Sequence, residues 1–103
     1  MYKLNFFVPH SDKERVKEAL FNIGVGRYAN YEYCSFETLG HGQFKPINSA
    51  NPYIGELNKI EIVEEYKVEM ICKDELIKKA VELLKATHPY EEVAYEVFRM
   101  EEV

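Results

Sequence analysis

The chain has 103 residues, 47% hydrophobic and 30% charged, with 5 Gly and 4 Pro. That balance suits one globular domain over residues 1–103, and excludes a disordered, collagen-like or membrane-spanning chain. Thirteen Lys and Arg against eighteen Asp and Glu leave a net charge of -5, which argues against nucleic acid or an anionic membrane as partner.

Leu4, Phe6 and Val8 alternate along a first strand that ends at Pro9. Ser11 followed three residues later by Glu14 reads as a capping box opening a helix. Val16, Ala19, Leu20 and Ile23 then form one apolar helical face, and Gly24 suits the helix end. Tyr31 to Thr38, rich in aromatic and β-forming residues, reads as a second strand. Leu39-Gly-His-Gly42 opens a turn-rich tract through Pro46, Pro52 and Gly55, expected as a long loop at about residues 39–57.

The same grammar then repeats. Ile60, Ile62, Tyr66, Val68 and Met70 alternate as a third strand, and Ile77, Ala80, Val81 and Leu84 carry helical spacing from an opening at Lys73 or Asp74. His88 precedes Pro89, which pushes it out of the helical region and closes the second helix. Val93 to Arg99 is the last strand. The order βαββαβ predicts an α+β fold, a ferredoxin-like split βαβ sandwich whose antiparallel sheet carries two helices on one face. With Leu4, Phe6 and Val8 directed at the helices, Phe7 points away, as do Tyr31 and Tyr33 if Cys34 and Phe36 are core. Those three aromatics are the expected homo-oligomer interface.

In the strand order 4-1-3-2 that this fold uses, His10, His41 and His88 fall at one end of the sheet with Tyr90, Glu91 and Glu92. His10, His41, His88 and Glu91 are therefore candidate ligands for a divalent transition metal, set against histidines that cap, hydrogen-bond or face solvent. Gly40 and Gly42 allow close backbone approach, so His10, Gly40, His41, Gly42, His88, Tyr90 and Glu91 are the candidate small-ligand residues. The tract carries no GxxxxGK[ST] phosphate loop. Cys34 and Cys72 lack CxxC spacing and read as ordinary thiols. No His or Asp is placed to activate Cys34 or Ser35, so no catalysis is expected. The acidic positions from Glu61 to Glu69 alternate with apolar ones and read as a solvated strand face. Met1 to Pro9 is too short and interrupted for a secretory signal, so a cytoplasmic location is expected.

A set of local motifs adds to this. Val8-Pro9, Gly24 and Gly26, Asn30-Tyr31, Cys34-Ser35-Phe36, Gly40-x-Gly42-x-Phe44-x-Pro46, Asn51-Pro52 with Ile54-Gly55, and His88-Pro-Tyr-Glu-Glu92 with Ala94-Tyr95 run through nearly the whole chain. Together they resemble the PII-like and CutA-like domain inserted in bacterial proteins of the YqfO type, homologues of type 2 GTP cyclohydrolase I. Departures are Val93 in place of a common proline, Ala29 where glycine is usual, and His41 where a small hydroxyl residue is common. The resemblance implies a trimer related to PII and CutA proteins, with the loop between strands two and three and the loop before strand four bordering inter-subunit clefts. In the long members the dinuclear metal centre lies in flanking domains, so the resemblance does not carry hydrolase activity to this chain. The expected function is a stand-alone, non-catalytic oligomeric module binding a small ligand, metal ion or partner at its loop end. The alternatives are a structural self-association or partner-docking domain, and a divalent metal-ion binding protein.

Overall fold

A computed structural model describes residues 1–103. Strand β1 (Tyr2–Pro9) alternates as its sequence dictates: Leu4, Phe6 and Val8 are fully buried against the helices. Helix α1 (His10–Asn22) contributes Val16, Leu20 and Phe21 to the core. It ends as Gly24 foretells, for the Gly24 N–H bonds the Phe21 carbonyl and the Val25 N–H reaches back to Leu20. That pair is a Schellman closure, with Gly24 at φ +104° supplying the left-handed residue it needs. Strand β2 (Phe36–Phe44) and strand β3 (Glu61–Cys72) form a long hairpin. A 3-10 turn (Asp74–Leu76) leads into helix α2 (Ile77–Thr87), and strand β4 (Tyr95–Arg99) closes the order.

The sheet runs β2-β3-β1-β4 with every neighbouring pair antiparallel, and α1 and α2 pack against each other. This is the ferredoxin-like α+β sandwich expected from the sequence. Twelve buried apolar residues form one core cluster between helices and sheet. The Lys13 and Lys17 ammonium groups both reach the Glu37 carboxylate, Lys17 at 2.9 Å, and Lys13 also lies 4.0 Å over the Tyr66 ring. These contacts fasten α1 to the start of β2, and the paired cations hold the Glu37 carboxyl below its ordinary range.

Three local expectations are corrected. No capping box forms: the helix starts at His10 behind Pro9, and the Ser11 hydroxyl donates to Asp12 at 3.2 Å. Leu39-Gly-His-Gly42 is strand, not the start of the 39–57 loop, because the twelve-residue β3 offers backbone partners to all of Phe36–Phe44, from Phe36 opposite Glu69 to Phe44 opposite Glu61. Tyr31 and Tyr33 lie outside any strand. Residues 28–33 turn back on themselves through paired Tyr28 and Tyr31 backbones, with Ala29 and Tyr33 at positive φ. Tyr33 consequently stacks on Phe21 of α1, ring centroids 4.6 Å apart, on the helix side and not on the open sheet face.

Phe7 does alternate to that open face, joined there by Phe36 of β2 and Phe98 of β4 at 67% and 53% exposure. At its centre sits Asn5, only 5% exposed, whose Oδ1 has no hydrogen-bond partner.

Candidate functional site

His88 organises the end of the molecule where the sequence gathers its histidines. β4 pairs with β1 only as far as Phe6 opposite Tyr95, so the next β1 residue needs other partners. The Phe7 N–H bonds the Ala94 carbonyl, and the His88 ring supplies the rest: Nε2 donates to the Phe7 carbonyl at 2.7 Å. Nδ1 accepts the Tyr90 N–H at 3.1 Å. Because one nitrogen faces a carbonyl and the other an N–H, the ring is neutral and protonated at Nε2. Burial to 6% exposure holds its pKa below the ordinary 6.5, against the Phe7 carbonyl bond that raises it. His88 thus extends the sheet with a side chain and fixes where Tyr90 stands.

Tyr90 forms one wall of a cleft of about 390 Å³ between the end of β2, the 45–60 loop and the segment before β4. Its ring neighbours Tyr53 at 6.1 Å and Phe44 at 6.4 Å, and Pro46, Pro52 and Ile54 complete the apolar lining. The loop is held to the opposite wall by Glu91, whose carboxylate accepts the Asn51 N–H at 3.0 and 3.2 Å. Asn48 and Asn58 at positive φ shape the loop, and the Asn58 N–H bonds the Pro46 carbonyl at 2.7 Å to close it at its base.

Glu65 of β3 enters this cleft from the sheet. Gly40 stands opposite it on β2, and the Glu65 carboxylate lies over the diagonal Gly42, where it occupies the space a Cβ would take. The Tyr90 hydroxyl faces Glu65 Oε2 at 3.5 Å. Burial raises the Glu65 carboxyl above its ordinary value, the Tyr90 contact opposes that, and no cation contributes. Burial and the nearby Glu65 push the Tyr90 phenol up to about 12, so it stays a donor at neutral pH.

The candidate ligand residues divide accordingly. Tyr90 and Glu91 line the cleft and Gly42 adjoins it through Glu65, while His88 acts from behind Tyr90. His10 and His41 are elsewhere, and Gly40, although opposite Glu65 in the register, does not line the cleft. His10 packs near Tyr66, centroids 5.8 Å apart, and no atom lies near the space a Gly40 side chain would take. His41 lies on β2 opposite Glu64 with its side chain 66% exposed. The proposed metal set of His10, His41, His88 and Glu91 is not brought together: His88 has spent both ring nitrogens, Glu91 holds Asn51, and no group of three or more His, Cys, Asp or Glu is arranged around a common point. The topology gave the end of the sheet correctly, but alternation sends His41 to the opposite sheet face from Glu65. Phe44, Tyr53 and Glu65 escaped the sequence reading. Glu65 was hidden among the alternating acids of β3, and its one signal is the Gly40-x-Gly42 pair across the hairpin, since a glycine inside a strand marks a close approach.

No family model matches the chain. A GTP cyclohydrolase 1 type 2 homologue of Halalkalibacterium halodurans is 44% identical over 98 residues, 95% of this chain and 26% of that protein. One from Bacillus subtilis is 38% identical over 100 residues, 97% of this chain and 27% of its own length. A Bacillus cereus protein related to NIF3 superposes with a TM-score of 0.82 at 36% identity, over 98% of this chain and 26% of that one. This chain is a homologue of one small domain of these proteins. The CutA fold embraces it too: CutA of Pyrococcus horikoshii matches with a TM-score of 0.72 at 18% identity, over 100% of this chain and 87% of its own. The periplasmic divalent cation tolerance protein CutA of Archaeoglobus fulgidus matches at 0.68 and 17%, over 100% and 87%. At those identities the likeness is one of fold. The CutA-like domain spans about a quarter of the curated relatives it matches, and none of its helices is long and apolar enough to cross a membrane.

Proposed function

We propose that residues 1–103 form a non-catalytic, self-associating PII/CutA-like module that binds a small organic molecule in the cleft between the 45–60 loop and the segment before β4, acting in the cytoplasm. The observation that carries this is the cleft itself, an aromatic cavity of about 390 Å³ with one half-buried carboxylate and a loop tied across it by a single side chain. Cavities of that size and character are the ordinary form of small-molecule sites. Cys72 supports the non-catalytic part, since burial pushes its thiol up to about 11, away from the thiolate a nucleophile needs. A screen of small aromatic fragments read by amide NMR is expected to concentrate shifts at residues 43–54 and 90–94. Shifts spread over the open sheet face, with those residues unmoved, would refute it.

Self-association rests on a separate observation. Phe7, Phe36 and Phe98 share the open face with the orphaned Asn5 Oδ1, a buried acceptor that costs free energy until a donor meets it. A second copy laid on this face would cover the aromatics, and the trimer implied by the PII and CutA resemblance is the assembly proposed. Divalent metal binding keeps only the cation tolerance named for the A. fulgidus relative of this fold, because the histidines diverge.

A further inference from the structure

Glu65 is the partly buried carboxylate of the cleft, and no cation meets it. It is a partly desolvated carboxylate with no Lys, Arg or His paired to it, and its sole polar neighbour is the Tyr90 hydroxyl. A carboxylate held this way is costly unless a positive charge or further donors meet it. The Glu65 carboxylate lies over Gly42, in the space a side chain there would take. The lining carries two more carboxylates, Glu91 and Glu92, against the single cation Lys45. Glu91 is engaged with Asn51 and Glu92 is exposed to solvent, which leaves Glu65 as the half-buried acceptor at the aromatic wall. The Tyr53 and Phe44 rings lie tilted by 49° and 55° to Tyr90. At centroid separations of 6.1 and 6.4 Å the rings pack on one another as one aromatic wall, against which an apolar body can lie and whose exposed faces suit a cation.

We propose, resting on the cleft as a small-molecule site, that its ligand class is an organic cation: a protonated amine carried on a flat aromatic or apolar body, with the ammonium on Glu65 and the body against the wall of Phe44, Tyr53 and Tyr90. Anionic ligands such as nucleotides and free carboxylates are disfavoured by the same charges, and the cleft offers no arginine or phosphate-cradling loop to receive them.

Three probes with one ring system separate the outcomes: tryptamine as cation, indolepropanol as neutral partner and indolepropionate as anion, each titrated into the wild-type protein and followed by amide NMR. Tryptamine is expected to shift residues 43–54 and 90–94 and to bind at least about tenfold more tightly than indolepropionate. Glu65→Gln, a near-isosteric change, is expected to weaken tryptamine about tenfold and leave indolepropanol unaltered. Equal affinity of all three probes at those residues would overturn the cation assignment while the cleft stands. Shifts from none of them would overturn the cleft as well. The probe comparison needs no variant, so a folding defect in Glu65→Gln leaves the test intact.

Discussion

Replacing His88 with alanine should loosen the molecule far more than a loop-end residue ordinarily would. The ring donates to the Phe7 carbonyl and accepts the Tyr90 N–H, and it is 6% exposed. Each bond contributes about 1 kcal/mol net, and leaving a buried partner unmet costs about 1–3 kcal/mol. Two such groups, partly reached by water once the ring is gone, give a loss of about 2–4 kcal/mol. For a domain of this size that corresponds to a fall in Tm of roughly 10–20 °C. Urea unfolding followed by circular dichroism measures it directly. The pH dependence supplies an independent check. Burial holds the folded pKa of His88 below 6.5, so between the two values the unfolded chain binds more protons than the native one. Stability from this group is therefore complete above about 6.5 and is lost as pH falls through the lowered folded value. Asp12 favours the protonated ring and Arg15 opposes it, so this decline belongs to the local set of three. His88→Ala should lack that part of the slope. A loss below about 0.5 kcal/mol, with an unchanged acid slope, would refute the two-bond account.

Other consequences follow from the same geometry. Ala29 sits at φ +50°, where a Cβ is penalised, so Ala29→Gly is expected to stabilise by about 0.5–1 kcal/mol in the same denaturation assay; destabilisation would mean the turn is held otherwise. Glu65→Gln should be more stable than wild type at neutral pH. The raised folded pKa means the native state holds more protons than the unfolded one above the ordinary value of 4.5, stability is lost as pH rises through that window, and the advantage of Gln should vanish below it. Thermal melts across pH decide this, and an advantage that persists in acid would contradict it. Phe36→Glu with Phe98→Glu is expected to reduce the sedimenting mass to one subunit while the far-ultraviolet spectrum is retained; an undiminished oligomer would place the interface elsewhere.

Most of the architecture was legible because burial writes periodicity. Leu4, Phe6 and Val8, and the apolar faces of both helices, reappear in the core, and the order of elements then determines the sheet. Boundaries were less legible where pairing overrides composition. Leu39-Gly-His-Gly42 looks like a turn until a long β3 supplies its partners, and Tyr31 to Cys34 looks like a strand until Ala29 and Tyr33 adopt positive φ. The site was legible as an end of the molecule and not as a set of directions. His10, His41 and His88 share that end yet face three different surroundings, whereas Tyr90 and Glu91 enter the cleft. Glu65 depended on register: only when Gly40 and Gly42 are aligned beside it does one acid among many acquire a cleft.

Native mass spectrometry of the protein purified from its own cells tests the central claim most directly, because it reports subunit number and retained ligand together. A multiple of the 12.1 kDa chain is expected, carrying an additional organic mass that is lost in Tyr90→Ala. A bare monomer, or an added mass that Tyr90→Ala retains in full, would contradict a self-associating module with its site in this cleft.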